Sequence, residues 1–347
     1  MQVAAVKHFP SPTNHVKPVI LLQAYWRSGS TFTGEMISNY PGVFYRYEPF
    51  MYFDLFRELD SEQTKAAIKT LRHLTRCEYE NVDDFFQQVR LGEWNSDTLF
   101  RYRNCSWPCF RRPVESCLYQ ANPSRCFSTP TERCLGKHFL SKACRMSSSL
   151  LFKIVRLRLA KLAMLLDEPE FHRLKIINLV RDPRAIISSR NKRRWCVSDA
   201  CRSPESLCEA MRKDIAAGET LKKHHQQRFF RFRFEDLSLW PYETTKKLFN
   251  FLELPSHPRI DFFLRKRINT LLTHTFYDHD GKLQSPTTHK KPVRVIFRWV
   301  DELHWEEILT IQKACGDVLQ KLGYKLVNST QQMRNFYPVG PHGMADF

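Results

Sequence analysis

Long apolar segments are missing from the beginning of this chain of 347 residues. Residues 1–17 are polar and contain prolines. They hold neither an apolar run of about 18 residues nor the apolar core of a signal peptide. Internal repeats and long low-complexity segments are missing as well, which excludes solenoid and fibrous architectures. The length remains compatible with one large α/β domain that carries insertions.

Acidic residues are fewer than basic residues. The chain has 36 Asp and Glu against 54 Lys and Arg, which gives a formal net charge of +18. This balance favours a polyanionic partner: a nucleic acid, a membrane surface or an acidic glycan. Arg and Phe alternate over residues 228–234, a pattern typical of a strand with one basic face that also suits nucleic acid. Helix-turn-helix, zinc-finger and RNP patterns are absent, so we expect no nucleic-acid partner.

Cysteine pairs with the tight C-x2-C spacing are absent, although the chain has 11 cysteines. The spacings Cys105-x3-Cys109 and Cys196-x4-Cys201 are looser than those typical of zinc sites. We therefore expect no metal and favour disulfides formed in an oxidising compartment. The sequence does not identify the pairs, and the odd number leaves at least one thiol without an intrachain partner.

The most informative stretch that is present covers residues 17–35. Val19–Tyr25 is a largely apolar run with the length of a buried strand. The small, polar turn Arg27–Thr31 follows, and a helix is predicted over Phe32–Asn39. The unpaired N–H groups and the dipole of a helix start favour an anion, and Arg27 adds a permanent planar cation. We expect a phosphate site here; the alternative is a capped strand-to-helix turn without a ligand.

This turn is not the P-loop of nucleoside triphosphatases. Gly29 and Gly34 have the separation found in that motif, but the two residues that follow are Glu35 and Met36. The motif needs Lys and a hydroxyl there, for the terminal phosphates and for magnesium. The chain therefore offers an arginine-led loop in place of a lysine-based one.

A second stretch, residues 175–190, has the same strand–turn–helix pattern. Lys175–Val180 is an apolar run suited to a central parallel strand, and Arg181 follows its last residue. Asp182 can cap the next helix, and Pro183 suits its first position. Two serines, Ser188 and Ser189, lie one to two turns further on. The alternative is a capped surface helix that happens to carry an arginine.

Together the two stretches resemble the 3′-phosphoadenosine-5′-phosphosulfate (PAPS) sulfotransferases, and most closely the Golgi carbohydrate 6-O-sulfotransferases. The R-S-G-[ST]-[ST]-F segment of that family corresponds to Arg27–Phe32, and its L-V-R-D-P-R-A…S-R segment to Leu179–Arg190. The resemblance extends to RFEDL at 233–237 and LGY at 322–324, and it spans about residues 18–327. It implies that the 5′-phosphosulfate is bound by Arg27, Ser28, Gly29, Ser30, Thr31 and Phe32, and the 3′-phosphate by Arg181 and Ser189.

Sulfuryl transfer also needs a base for the acceptor hydroxyl and a cation for the leaving phosphate. Glu48, at the end of a predicted strand, is our candidate base, because related enzymes have an acidic base at that place; capping a turn or pairing with Arg46 is the alternative. Lys153 is our candidate cation, with a snorkelling edge lysine as its alternative. Arg156 competes for that role. His138 and His274 are further possible bases, but they lie in no motif.

Other polar residues near these motifs receive secondary roles. Ser188 and Arg190 are candidates for further donor contacts, and Arg184 is expected to face solvent. Glu235 and Asp236 are expected to cap or pair rather than to act as bases.

The alternation of strands and helices predicts an α/β fold: a central parallel sheet with helices on both faces, in a P-loop-like PAPS sulfotransferase fold. We expect an N-terminal tail at 1–17, a sulfotransferase domain at 18–327 with a disulfide-held, Cys-rich insertion at about 93–148, and a C-terminal tail at 328–347. The predicted strands are Val19–Tyr25, Val43–Tyr47, Leu150–Leu157, Lys175–Val180 and Arg228–Phe234. The predicted helical regions are 54–92, Ser203–His225, Glu243–Leu252 and Phe297–Leu322, with a loop at 274–292.

The resemblance implies direct in-line transfer from PAPS, with a carboxylate base and no metal, to the 6-hydroxyl of galactose or an N-acetylhexosamine in a keratan- or chondroitin-like glycan. A tyrosylprotein sulfotransferase and a non-catalytic glycan-binding relative are the alternatives. Members of the family are usually type II Golgi membrane proteins. We therefore expect the Golgi lumen, with an anchor not visible in this chain, which a fragment or an incomplete gene model would explain. Sequons at Asn104 and Asn328 agree with a lumenal location.

Overall fold

The structure is a computed structural model, and it describes residues 16–50, 58–82, 137–273, 296–333 and 338–339. Several predictions concern residues outside these ranges. They are most of the N-terminal tail, the Cys-rich insertion up to residue 136 with its sequon at Asn104, the 274–292 loop with His274, and most of the C-terminal tail.

A parallel sheet forms the centre of the described residues, and it confirms the predicted fold class. Its five strands are arranged in the order β2-β3-β1-β4-β5. The strands are β1 (Val19–Ala24), β2 (Val43–Tyr47), β3 (Ser149–Ile154), β4 (Leu174–Val180) and β5 (Phe229–Arg233). Their ends differ from the predicted ends by at most three residues.

Helices surround this sheet. The first group comprises α1 (Ser30–Ser38), α2 (Ser61–Thr75), α3 (Lys137–Met146), α4 (Leu159–Ala163), α5 (Pro183–Asn191) and α6 (Asp199–Arg202). The second comprises α7 (Pro204–His224), α8 (Phe234–Leu239), α9 (Pro241–Phe251), α10 (Pro258–Thr273), α11 (Trp299–Glu302), α12 (Trp305–Lys321) and α13 (Thr330–Met333). Within the described part of the chain, no helix is long and apolar enough to cross a membrane.

The inner strands are buried on both faces, which explains their continuous apolar composition. Every residue of β1 and of β3 is buried. One hydrophobic cluster joins the strands to α1, α2 and α9, and a second joins α5, α7 and α12. Because all strands are parallel, the segments that follow them emerge at one edge of the sheet, where α/β proteins bind their ligands.

The predicted disulfides are present among the described cysteines. Cys77 is bonded to Cys144, and Cys196 to Cys201. The bond from Cys208 to Cys315 joins α7 to α12. The long helices that cover the second hydrophobic cluster are therefore covalently linked.

A buried polar network crosses the sheet near the carboxyl ends of its strands. Asn178 of β4 donates to Gln23 of β1 and accepts from Arg231 of β5, whose Nε lies 2.6 Å from its Oδ1. Gln23 in turn donates to Asp214 of α7, as does the hydroxyl of Tyr25 at 2.7 Å. These bonds satisfy the buried groups and hold Tyr25, the residue from which the first loop begins.

Candidate active site

The first loop makes a tight turn between β1 and α1. Arg27 and Gly29 both have positive φ angles, 71° and 90°. The hydroxyl of Ser28 donates to the carbonyl of Tyr25 at 2.8 Å, and its side chain is fully buried. Ser28 therefore supports the shape of the turn from within. Helix α1 begins at Ser30, so its unpaired N–H groups start directly after the turn.

Gly29 is required at its position for two reasons. Its φ of 90° favours glycine, and a Cβ built there would lie 2.2 Å from the ring of Phe234. The ring of Phe32, the last residue of the predicted motif, makes an edge contact with the ring of Phe234 and a tilted contact with the ring of Phe263. Phe32 and Phe234 thus fix the position of the loop against α8 and α10.

The second motif folds as predicted and meets the first. Asp182 caps α5 by accepting from the backbone N–H of Arg184 at 2.9 Å, and Pro183 is the first residue of the helix. Arg181 donates to the carbonyl of Arg27 at 2.8 Å, and Arg27 Nε donates to Ser189 Oγ at 2.9 Å. Arg27 therefore contacts both residues predicted to bind the 3′-phosphate, beside the start of α1.

Glu48 and Lys153 form a buried ion pair next to that loop. The Nζ of Lys153 lies 2.8 Å from Glu48 Oε1 and 3.2 Å from Thr31 Oγ1. Arg156 reaches the other carboxylate oxygen at 2.6 Å. Glu48 is 7% exposed and Lys153 is 3% exposed, and strand β3 lies between β1 and β2. Lys153 is thus an interior residue and not an edge lysine; it connects the carboxylate to the loop.

The electrostatics of this pair keep both groups charged at neutral pH. Burial alone would raise the pKa of Glu48, but Lys153 and Arg156 outweigh it and lower the pKa to about 2. Burial likewise opposes the charge of Lys153, but the attraction of Glu48 raises the pKa of the ammonium above its usual value. The φ of Glu48 is 41°, in the left-handed region that non-glycine residues seldom adopt. Such strain at a buried ionised residue is common at functional sites.

Comparison with known protein families shows that the sulfotransferase family matches residues 18–258 of this chain. The chain belongs to the sulfotransferase family. The match begins before β1 and ends at the start of α10, so it includes both loops and all five strands.

This sulfotransferase is similar to several curated relatives over most of its length. It is 26% identical to carbohydrate sulfotransferase 4 of Mus musculus, an alignment that covers 95% of this chain and 88% of the relative. It is 27% identical to carbohydrate sulfotransferase 6 of Homo sapiens, covering 91% and 83%. Among solved structures, mouse sulfotransferase SULT7A1 complexed with PAP has a TM-score of 0.43 and 10% identity, covering 92% of this chain and 87% of that one.

The RFEDL motif at 233–237 and the LGY motif at 322–324 pack together and support the loop that follows β4. The hydroxyl of Tyr324, from LGY, donates to Glu235 of RFEDL at 2.8 Å. The other oxygen of Glu235 accepts from the backbone N–H of Asp182 at 3.1 Å. Arg233 pairs with Asp236 at 2.7 Å and donates to the backbone of the LGY segment. Sequence reasoning noted both motifs but did not connect them to Asp182, because the contacts join distant parts of the chain.

Glu235 is fully buried in this network, and its environment changes its acidity. Burial raises the pKa of the carboxyl group to about 7, although Arg181 acts in the opposite direction. The charge state of Glu235 is therefore coupled to Arg181, the arginine that we predict to contact the 3′-phosphate. The structural role expected for Glu235 and Asp236 agrees with these contacts.

The prediction that Arg184 faces solvent was wrong. Its side chain is fully buried, pairs with Asp182 at 2.8 Å and lies 4.2 Å from the centre of the Trp299 ring. Gln312 of α12 accepts from it at 2.9 Å. The C-terminal helices cover this face of α5, and the sequence of α5 alone does not reveal that covering.

The remaining candidates lie in other surroundings. Ser188 is buried and donates to Glu302 of α11 at 2.6 Å. Arg190 is buried and donates to the backbone carbonyls of Trp26 and Cys201. His138 lies exposed on α3, 3.9 Å from Glu80. These contacts indicate supporting roles for Ser188 and Arg190.

Proposed function

We propose that this sulfotransferase transfers a sulfuryl group from PAPS to the 6-hydroxyl of a galactose or N-acetylhexosamine residue in a glycan. One observation carries the proposal: Lys153 Nζ is within hydrogen-bond distance of both Glu48 and Thr31. A carboxylate that can accept a proton is thereby placed next to an arginine-led anion loop. The relatives named carbohydrate sulfotransferases support a glycan as acceptor.

The residues at the two loops fit a nucleotide with phosphate groups at two positions. Arg27, Arg181 and the start of α1 offer positive charge and N–H groups, and Ser30, Thr31 and Ser189 offer hydroxyls. Carboxylates are absent from this set, and such a donor set binds phosphate and sulfate oxygens well. PAPS supplies the sulfuryl group, and we assign its 5′ end to the loop Arg27–Phe32 and its 3′-phosphate to Arg181 and Ser189.

Glu48 is proposed to take the proton from the acceptor hydroxyl. With a pKa of about 2 it is ionised at neutral pH, which is the form that a base needs, although two cations reduce its basicity. An anion beside Lys153 would share the charge of that ammonium and bring the pKa of Glu48 back toward its usual value. The pair therefore couples the basicity of Glu48 to occupancy of the loop.

Lys153 is proposed to stabilise the negative charge that develops on the leaving phosphate. Its ammonium is buried and stays protonated, and both properties strengthen its interaction with a nearby anion. Arg156 is less suited to that task, because its guanidinium lies between Glu48 and the ring of Trp26, 5.5 Å from the ring centre. We assign Arg156 to positioning Glu48.

The proposed location is the Golgi lumen. Three disulfides among the described cysteines, each formed by buried residues, support an oxidising compartment of the secretory pathway. The membrane attachment remains part of the proposal, because it comes from the resemblance to type II Golgi enzymes.

Transfer of radiolabelled sulfate from PAPS to a panel of acceptors tests the proposal. The panel holds desulfated keratan, chondroitin, a heparan-type chain and a tyrosine peptide. We expect label on keratan or chondroitin, with the sulfate mapped to carbon six. Label on the peptide alone would favour the tyrosylprotein class, and PAP binding without any transfer would favour a non-catalytic relative. An E48Q variant that still transfers at the normal rate would contradict the proposed base.

A further inference from the structure

A short, strongly basic segment follows α5, directly after the donor-site residue Ser189 and the buried Arg190. We call residues 192–195, Lys192, Arg193, Arg194 and Trp195, the basic loop. Its three basic side chains are exposed, and Trp195 is half-buried. Neither the donor site nor the catalytic pair described above uses these residues.

The basic loop is held in place at both ends. A disulfide between Cys196 and Cys201 closes the turn that follows it. Arg190, at its other end, donates to the carbonyl of Cys201 at 3.0 Å and to the carbonyl of Trp26 at 3.3 Å. Arg202 donates to the carbonyl of Cys196 at 2.6 Å. These bonds attach the backbone of the loop to the turn that contains Trp26 and Arg27.

Aromatic contacts connect the basic loop to the catalytic pair. The ring of Trp195 makes an edge contact with the ring of Trp26, with the ring centres 6.4 Å apart. The guanidinium of Arg156 lies over Trp26, and its other side contacts Glu48 at 2.6 Å. Trp195 is thus separated from the candidate base by only two intervening side chains. A polymer with one unit at Glu48 would have neighbouring units within reach of the basic loop.

The charge of the loop is only partly neutralised. Lys192 pairs with Glu302 at 2.5 Å. Among the side chains that the structure describes, no carboxylate lies within ion-pair distance of Arg193 or Arg194. Two exposed guanidinium groups beside an indole ring are suited to an anionic sugar. The arginines can bind carboxylate or sulfate oxygens, and the indole can pack against the C–H face of the ring.

We infer that the basic loop is an acceptor subsite that binds an anionic sugar neighbouring the residue to be sulfated. The inference rests on the proposed function and narrows its substrate to glycans that carry carboxylates or sulfates. Arg193 and Arg194 hold the anionic group, and Trp195 supports the sugar ring. The net charge of +18 is consistent with such a polymer.

Binding, measured by calorimetry without turnover, tests the subsite. The probes are chondroitin 4-sulfate and its desulfated, carboxyl-reduced counterpart, each added to protein saturated with PAP at fixed ionic strength. The variant R193Q/R194Q should bind the anionic chain about fivefold to tenfold more weakly than the wild type, whereas its PAP affinity and its binding of the neutral chain should not change. A W195A variant should lose affinity for both chains, and thermal unfolding checks that it is folded.

A matched double variant, R173Q/K223Q, controls for the loss of two positive charges. Arg173 and Lys223 are exposed and precede β4 and β5, so they lie at the opposite edge of the sheet. An equal loss of affinity in this control would overturn the inference, as would weaker PAP binding in R193Q/R194Q or no preference of the wild type for the anionic chain. A DNA duplex bound as tightly, and weakened equally by R193Q/R194Q, would also overturn it. Failure of sulfate transfer on every acceptor would instead contradict the proposed function, because these measurements need no transfer.

Discussion

Arg27 and Ser189 are 162 residues apart in the chain, yet Arg27 Nε donates to Ser189 Oγ at 2.9 Å. The contact exists because β1 and β4 are neighbours in the parallel sheet, so the turns that follow them lie side by side. Arg181, at the end of β4, strengthens the junction by donating to the backbone of Arg27. Two motifs that are each ambiguous in sequence therefore form one continuous surface, to which we assign the donor phosphates.

Replacement of Arg27 by Ala should weaken PAP binding by about 1.5–3 kcal/mol, because a charge-assisted hydrogen bond to phosphate is lost. Isothermal calorimetry with PAP measures the effect directly. The variant R173A, which removes an arginine at the opposite edge of the sheet, is the control and should bind PAP normally. An unchanged dissociation constant in R27A would contradict the assignment of the loop to the donor.

Replacement of Glu48 by Gln should reduce sulfate transfer by at least about 10²-fold and leave PAP affinity nearly unchanged. The reason is that the amide cannot accept the proton of the acceptor hydroxyl. The substitution also leaves Lys153 and Arg156 without their counter-ion, which costs about 3–5 kcal/mol of folding stability. Thermal unfolding must therefore accompany the assay.

A second variant, E48D, keeps the negative charge and separates stability from catalysis. It should be more stable than E48Q and retain measurable transfer. If PAP affinity falls in E48Q together with activity, Glu48 has a structural role rather than a catalytic one.

Replacement of Gly29 by Ala should lower the free energy of unfolding by about 1–3 kcal/mol and weaken PAP binding. An alanine would adopt a strained φ, and its Cβ would overlap the ring of Phe234. Gly316 in α12 offers a matched control, because a Cβ there meets no atom within 4 Å. G316A should raise stability by about 0.5–1 kcal/mol, as expected for a helix interior. If urea unfolding gave the same change in free energy for G29A and G316A, the φ of residue 29 and the ring of Phe234 would not exclude a Cβ at that position.

The stability of the protein should depend on Glu235 at pH 4.5–7. The folded-state pKa, about 7, lies above the usual value of 4.5, so folding favours the protonated form. The raised pKa adds at most about 3 kcal/mol to the free energy of unfolding. This stabilisation is fully present below pH 4.5 and is lost as the pH rises toward 7. Urea unfolding of the wild type and of E235Q at several pH values measures it, since E235Q lacks the ionisation. Parallel curves for the two proteins would contradict the raised pKa.

The strands and the two loops that follow β1 and β4 were predictable because their signals are local. Apolar runs of strand length, small residues in the turn and the Asp182–Pro183 cap each depend on only a few neighbouring residues. Val43–Tyr47 was predicted with its exact ends, and Glu48 was placed directly after it. Disulfides were predictable from the number of cysteines, whereas their pairing was not.

The error at Arg184 shows where local signals fail. An arginine one residue after Pro183, on a short helix, looks like a surface residue in sequence. Its burial depends on Trp299 and Gln312, which follow more than 100 residues later. The same limit applied to Tyr324 and Glu235, whose hydrogen bond links the LGY and RFEDL motifs.

By itself the sequence determined the α/β class, the two strand-to-helix turns and the residue types available for sulfuryl transfer, because each of these follows from short-range pattern and side-chain chemistry. Only the tertiary structure decided which groups meet: Lys153 with Glu48 and Thr31, and the basic loop with the donor turn through Arg190. The physical reason is that the charge state and reactivity of a buried group depend on neighbours within a few ångströms. A parallel sheet brings those neighbours from segments that are far apart in the chain.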